Sequence, residues 1–472
     1  MRRAWAFLAL TLLAGCTGLD PNNIIGRQIG ANDTVLSSQV VPPARGGPMD
    51  AAARERAFDF VWRTIEERYY DPKLHGVDWT AVRDRYHPLA LAAGDDEAFW
   101  DVLDRMTGEL KDSHTRVESP RRVALRKRDE TISLGFTFLP VAGKLAVTSI
   151  TPESDAWWAG VRPGMVLKSI DGEPADAAFA RLLAATRLDS TDRSREMRAV
   201  RHLVTGELNS VARFTFQRAD GSTFEALVTR RKLSTRATSM HRVLPSGWGY
   251  LRFTQWTLGV IPRVNEGLDA LRGTPGLIID LRGNPGGSLH MVNAMLGRFF
   301  REPAQLGRIL TRTGRPVSLL FGAVEVVKLH TVVDGDPAAY AGPIAILVNA
   351  QSASASELFA ATMQAAGRAV VVGQPSCGCL LGFLGYAAVP GGAELAYSEI
   401  GFVMSNGRRI EGEGVVPDKL VPLTIEDLVV SRDRALEEAQ RALAALKPRG
   451  QDNATRAAGG DGMNAGMQAG TR

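Results

Sequence analysis

The sequence predicts a multidomain α+β protein, and three observations carry that expectation. At 472 residues the chain exceeds what one hydrophobic core ordinarily organises. Residues 50 to 116 place apolar side chains at helical spacing, whereas Ala345 to Gly378 reads as strand, serine-rich turn, helix and strand. Helices in one block and a β-α-β unit in another imply layers built by separate segments. The 45% hydrophobic and 23% charged content is that of a globular chain. The net charge of +5 is spread along the sequence and forms no basic patch, so no nucleic-acid partner is expected.

At the N-terminus, Met1-Arg2-Arg3 precedes an apolar run, Ala4 to Leu13, and then Ala14-Gly15-Cys16. A charged start, a short apolar stretch and small residues ahead of a cysteine form a secretory signal. The pattern resembles a bacterial lipoprotein signal. That implies loss of residues 1–15, lipidation of Cys16 and attachment to a membrane in the cell envelope. Thr17 rather than an aspartate after the cysteine implies sorting to the outer membrane, facing the periplasm. The apolar run is too short to span a bilayer, and no other stretch reaches the roughly 18 residues required. Residues 16–48 are polar and contain Gly, Pro and Asn, as expected of a tether. With Cys16 modified, Cys377 and Cys379 remain, one residue apart, where a disulfide would close a strained small loop. Cys and His residues nowhere take zinc-type spacing, and neither a metal nor a cofactor is expected.

Within residues 49–128, Phe58, Val61, Ile65 and Tyr69 share one helical face. Phe99, Val102, Leu103, Met106 and Leu110 form a second stripe. That helix is expected to run to Lys111-Asp112-Ser113-His114-Thr115, where a histidine is by default a C-terminal cap or a surface residue. From Gly249 the pattern turns α/β. Tyr250 to Phe253 is a short strand, a helix ends near Leu271, and Leu277 to Leu281 is a buried strand running into Arg282-Gly283-Asn284-Pro285-Gly286-Gly287. Glycines there let the backbone approach a substrate closely, or simply make a tight turn. In Ser352-Ala353-Ser354-Ala355-Ser356-Glu357 a serine at a helix N-terminus lies beside unpaired N–H groups, where a nucleophile gains an oxyanion site. Ser354 and Glu357 fit a capping box equally well. Ile425 to Lys447 (425–447), capped by Thr424, reads as one amphipathic helix, and residues 448–472 as a disordered tail.

Residues 129–235 resemble a PDZ domain. Ser133-Leu134-Gly135-Phe136 matches its carboxylate-binding loop and following strand, and Ala159 to Gly164 running into Val166 to Gly172 matches the bacterial form. The resemblance implies a polypeptide partner whose terminal carboxylate meets backbone N–H groups of the loop and whose backbone pairs with the Phe136 strand.

Several motifs then fall in order: Asp112-Ser113-His114-Thr115, the PDZ-like segment, Asp280 to Gly287, Ser352 to Glu357, and Ile410-Glu411-Gly412-Glu413-Gly414-Val415-Val416-Pro417-Asp418. Together, over about residues 50 to 425, they resemble the serine peptidase family of the carboxyl-terminal processing peptidases and the tricorn core. The resemblance implies a ClpP/crotonase-like α/β core at 236–424 with Ser354 as nucleophile. It also implies an oxyanion hole from the N–H of Ala355 and of a glycine, carried to Gly286 with Gly287 as its neighbour. Processing peptidases use a lysine base, and alignment on Gly373 to Gly378 puts Cys379 in its place. The tricorn branch uses a histidine base and a glutamate, which match His114, preceded by Ser113, and Glu411. The implied set is nucleophile Ser354, general base His114 and orienting carboxylate Glu411. Two functions compete: a lipid-anchored periplasmic serine endopeptidase that recruits polypeptides by their C-termini, and an inactive pseudo-peptidase acting as a peptide-binding adaptor. A third idea makes Cys377 and Cys379 a redox switch on the active site. Oligomeric state leaves no signal in the sequence.

Overall fold

The computed structural model describes residues 24, 27, 48–320 and 323–446. The expected leader, Cys16 and the tail from residue 448 lie outside the described residues. The first layer is helical: α1 (Ala51–Arg68), α2 (Trp79–Leu91) and α3 (Asp96–Gly108). Each starts at an aspartate, Asp50, Asp78 or Asp95, whose carboxylate accepts the N–H three residues on. The stripes of α1 and α3 bury Phe58, Val61, Ile65, Phe99, Leu103 and Met106 in one core, which also takes in Leu381, Leu395 and Tyr397 from the far end of the chain. Helix α2, with Pro88 in its last turn, shows no clear stripe in the sequence. Helix α3 stops at Gly108, earlier than expected; Lys111 takes φ +50°, and His114 lies in the loop beyond rather than at a helix cap. A short strand, Arg116–Glu118, follows and pairs antiparallel with Glu394–Ala396.

The second layer is an antiparallel sheet of β1 (Phe136–Val141), β2 (Lys144–Ile150), β3 (Val166–Ile170), β4 (Val211–Gln217) and β5 (Thr223–Thr229), in that spatial order. Alternating aromatics drive its core: Phe136, Phe138, Phe214 and Phe216 are all buried, with ring centroids 4.9 to 6.3 Å apart. Helix α4 (Asp192–Val204) contributes Met197, Val200 and Leu203 to this core.

The third layer is a six-stranded sheet. In spatial order it runs β6 (Ser239–Val243), β7 (Gly249–Phe253), β8 (Leu277–Asp280), β9 (Ile344–Val348), β10 (Val370–Gly373) and β11 (Lys419–Leu420). Only β6 is antiparallel to its neighbour. The register aligns Leu251, Ile279, Ile346 and Val371 on one face. That face is buried beneath α5 (Ile261–Ala270), α6 (Leu289–Gly297) and α7 (Ala355–Ala365). The adjoining row, Tyr250, Ile278 and Ala345, faces the last helix. Strands buried on both faces explain the unbroken apolar runs of β8 and β9.

Two expectations need correction. The C-terminal helix expected over 425–447 is two helices, α8 (Ile425–Val429) and α9 (Arg434–Ala445). Ser431 at φ +54° breaks the run, and Asp433 caps the second helix through the Leu436 N–H. Ile425 and Leu428 pack on the second layer, whereas Ala439 and Leu443 pack on the third-layer sheet. The tether expected over 16–48 is also docked in part. Ile24 joins the third-layer core, and Arg27 is buried in an ion pair with Glu399 at 2.8 Å.

Candidate active site

Ser354 stands where β9 turns into α7, at φ +54° and ψ −116°. This left-handed conformation costs a residue with a Cβ about 1–3 kcal/mol, and the surroundings hold it there. Its N–H donates to the Cys379 carbonyl (3.0 Å) and to Glu357 Oε2 (2.9 Å). The expected partnership of Ser354 with Glu357 therefore exists through the backbone, while the Ser354 hydroxyl lies 3.1 Å from His114 Nε2. These two side chains are 240 residues apart in sequence. The antiparallel pairing of Arg116–Glu118 with Glu394–Ala396 is what carries His114 across the first core to the Ser354 turn.

The loop bearing His114 is pinned from several sides. Asp112, fully buried, accepts from the His114 N–H (2.7 Å), Ser398 Oγ (2.7 Å), Tyr69 OH (3.2 Å) and Thr115 Oγ1. Arg187 reaches in from the second layer and donates to the carbonyls of Asp112 (2.8 Å) and Thr115 (2.7 Å), and to Asp104 (3.0 Å). Burial lowers the His114 pKa below the usual histidine value, with Arg116 in the same direction and Asp112 and Asp189 opposing. A neutral imidazole beside a hydroxyl is the state in which histidine acts as a base.

The glycine turn lies against Ser354. Asn284 organises it: its amide donates to the Phe253 carbonyl (3.0 Å), its Oδ1 accepts from the Gly286 N–H (3.0 Å), and its carbonyl accepts from Ala353 N–H (3.1 Å) and Ser356 Oγ (3.0 Å). Gly286 takes φ +99°, and a Cβ there would sit 2.7 Å from Ser354 Cβ and 2.9 Å from Ala355 N, which only glycine tolerates. The Gly286 N–H is engaged by Asn284, whereas the N–H groups of Gly287 and Ala355 have no acceptor among the described residues.

Glu411 is placed differently from the orienting role expected for it. One of its oxygens accepts from the Leu380 N–H, Ser190 lines the same cavity beside it, and no direct bond reaches His114. Its Oε1 and the Nδ1 of His114 are both buried without a partner. Burial, with Asp112 and Glu357 nearby, holds its carboxyl well above the ordinary carboxylate range. The cavity that Glu411 and Ser190 line has a volume of about 310 Å³ and is bordered by His75, Lys111 and Arg409. Ser113 links the two regions, with its hydroxyl bonded to Asp189, to Ser190 Oγ (2.8 Å) and to Cys379 Sγ (3.2 Å). Burial opposes it, but Arg198 and Arg187 hold the Asp189 carboxyl below the ordinary range.

Sequence reasoning missed Asp189, Ser190 and Arg187, which come from a segment with no readable motif and meet the site only in three dimensions. It also read Glu357 only as a cap, although that buried carboxylate accepts from the N–H groups of Gly378 (2.6 Å) and Cys379 (2.9 Å) besides Ser354. Ser133, Leu134, Gly135 and Phe136 sit in the second layer. There Gly135 donates to Ser133 Oγ (3.1 Å), and β1 pairs with β2 alone. Among the described residues no cluster of His, Cys, Asp and Glu is arranged to hold a metal ion.

Comparison with known proteins shows what the chain resembles. Residues 247–421 match the model of peptidase family S41, and residues 50–108 match that of the tricorn protease C1 domain. The chain is 27% identical over 416 residues to tricorn protease homolog 2 of Streptomyces coelicolor, covering 83% of this chain but only 32% of that one. It is 25% identical over 394 residues to the carboxyl-terminal-processing protease of a Picosynechococcus species, covering 80% and 86%. The fold superposes on the photosystem II D1 C-terminal processing protease with a TM-score of 0.52 at 22% identity, over 83% of this chain and 97% of that structure. The catalytic-core match and the processing-protease relatives agree: residues 247–421 resemble peptidase family S41, a family of serine-type peptidases, and the solved structure shares the fold.

Proposed function

We propose that the protein is an endopeptidase that cleaves polypeptides through an acyl-enzyme on Ser354. The observation that carries the reading is the 3.1 Å approach of His114 Nε2 to Ser354 Oγ, with the imidazole held neutral by burial. His114 takes the hydroxyl proton as Ser354 Oγ attacks the substrate carbonyl, then returns it to the leaving amine. The oxyanion that forms is met by the N–H of Ala355 and by the Gly286–Gly287 turn, donors typically worth a few kcal/mol each in the transition state. Glu411 has no direct bond to His114, and Asp112, which accepts the His114 backbone N–H, is the carboxylate that holds the base loop in this proposal.

The second layer acts as a PDZ domain in this proposal. The free edge of β1 takes the substrate as an added strand, and the Ser133–Phe136 loop receives its terminal carboxylate. Cys16 anchors the enzyme by lipid to the outer membrane, facing the periplasm, so that its substrates are polypeptides of the cell envelope. Cys379 in the place of a lysine base favours the second reading, an adaptor without peptidase activity.

The test is hydrolysis of an unstructured polypeptide by the chain from residue 16 carrying Cys16→Ser, which keeps the docked Ile24 and Arg27. Cleavage that disappears in Ser354→Ala and in His114→Ala, both still folded, is the expected result. If the parent is as inert as both variants across several substrates, the adaptor reading replaces it.

A further inference from the structure

Cys377 and Cys379 are joined in a disulfide, and the loop it closes carries much of the hydrogen bonding that shapes the nucleophile turn. The Cys377 N–H donates to the Ser352 carbonyl (2.9 Å), and its own carbonyl accepts from Thr191 Oγ1 (2.7 Å). Gly378 and Cys379 donate their N–H groups to Glu357, at 2.6 and 2.9 Å. The Cys379 carbonyl accepts the Ser354 N–H (3.0 Å), and its sulfur lies 3.2 Å from the Ser113 hydroxyl, one residue from His114. Gly378 closes the turn at φ +76°, where a Cβ would lie 2.6 Å from the Thr191 side chain. Three consecutive residues therefore touch the nucleophile turn, the carboxylate that holds it and the loop that carries the base.

We infer that the Cys377–Cys379 disulfide is the positioning device of this active site and that a dithiol reductant switches it off. The inference rests on the peptidase reading above. Bonded to each other, the two sulfurs hold the Ser354-bearing turn against the His114 loop and leave no ionisable thiol at the lysine position. Reduction proceeds by exchange. A thiolate of the reductant attacks one sulfur and forms a mixed disulfide, and the reductant's second thiol displaces the cysteine. Two electrons and two protons pass from the dithiol, which ends as its own disulfide, to give Cys377 and Cys379 as thiols. Freed from the short loop, the Cys379 backbone no longer holds its carbonyl and N–H in register with Ser354 and Glu357. Displacement of reacting groups by about 1 Å costs on the order of a hundredfold in rate. Neither cysteine belongs to the second-layer hydrophobic core, and Cys377 touches that layer through Thr191 at the start of α4, so substrate recruitment by the sheet edge is expected to change little.

The full chain is treated with dithiothreitol, and peptide mapping follows the 377–379 bond separately from Cys16. Hydrolysis of an unstructured polypeptide gives kcat and KM, and a fluorophosphonate probe reports Ser354 reactivity without a substrate. The expected result is a fall in kcat and in labelling rate of about ten- to a hundredfold, with KM within about twofold. Both should recover on reoxidation. A Cys377→Ser, Cys379→Ser double variant should sit at the reduced level whatever the reductant. Full opening of the bond with kcat and labelling unchanged overturns the inference, as does finding both cysteines as thiols in active protein. An oxidised chain that neither cleaves nor labels overturns the peptidase reading itself, and the inference with it.

Discussion

Replacing Glu357 by glutamine tests how the Ser354 turn is held. The side chain is fully buried, and its two oxygens accept four hydrogen bonds. Oε1 takes Ser376 Oγ (2.5 Å) and Gly378 N–H (2.6 Å); Oε2 takes Ser354 N–H (2.9 Å) and Cys379 N–H (2.9 Å). A glutamine of the same shape keeps one acceptor oxygen and turns the other into an amide donor, which faces two donors whichever way it is flipped. Two buried donors then lose their acceptor, at about 1–3 kcal/mol each, so a loss of about 2 to 6 kcal/mol is expected. Burial raises the Glu357 pKa, against the pull of these same donors, so the carboxylate is held at a desolvation cost that the bonds only partly offset. Equilibrium urea unfolding of the full chain, followed by fluorescence and by residual peptidase activity, measures the loss. A Glu357→Gln protein that unfolds within about 0.5 kcal/mol of wild type with full activity would show that the four bonds do not hold the turn.

Other outcomes follow from the same geometry. Gly286→Ala puts a Cβ 2.7 Å from the Ala353 carbonyl and Ser354 Cβ, so kcat should fall at least about a hundredfold while the helical layer is unaffected, as circular dichroism would show. Because burial lowers the His114 pKa, the acid limb of kcat/KM should have its inflection below the ordinary histidine value of about 6.5; an inflection well above it would contradict a buried neutral base. The same shift has a stability consequence: the unfolded chain binds the proton more readily, so this contribution is present above pH ~6.5 and is lost as pH falls through the folded pKa. Arg27→Met leaves Glu399 buried without its cation and should cost about 3–5 kcal/mol by urea unfolding, an outcome a free tether would not give.

What the sequence disclosed was local in origin. The stripe of α1, the apolar runs of β8 and β9 and the serine turn before α7 each arise from neighbours in the chain, and periodicity reports them. Ser354 and His114 were legible as motifs, and their approach depends on a strand pairing between residues 116–118 and 394–396 that no local pattern encodes. Arg187, Asp189 and Ser190 were illegible for the same reason: their partners, Asp112, Thr115 and Ser113, are more than 70 residues away. The break between α8 and α9 escaped because apolar periodicity continues through Ser431, whose backbone, not its side chain, ends the helix. Glu411 was named from its motif, yet burial and the Leu380 N–H, features of the folded chain, set its surroundings.

The central claim is that Ser354 is made nucleophilic by His114, and covalent capture tests it most directly. The protein is treated with a fluorophosphonate, and the adduct is mapped by mass spectrometry in wild type and in His114→Ala. The account predicts a single adduct on Ser354 in wild type and a labelling rate lower by about a hundred- to ten-thousandfold without the imidazole. An adduct elsewhere, or equal labelling of Ser354 in both proteins, would contradict it.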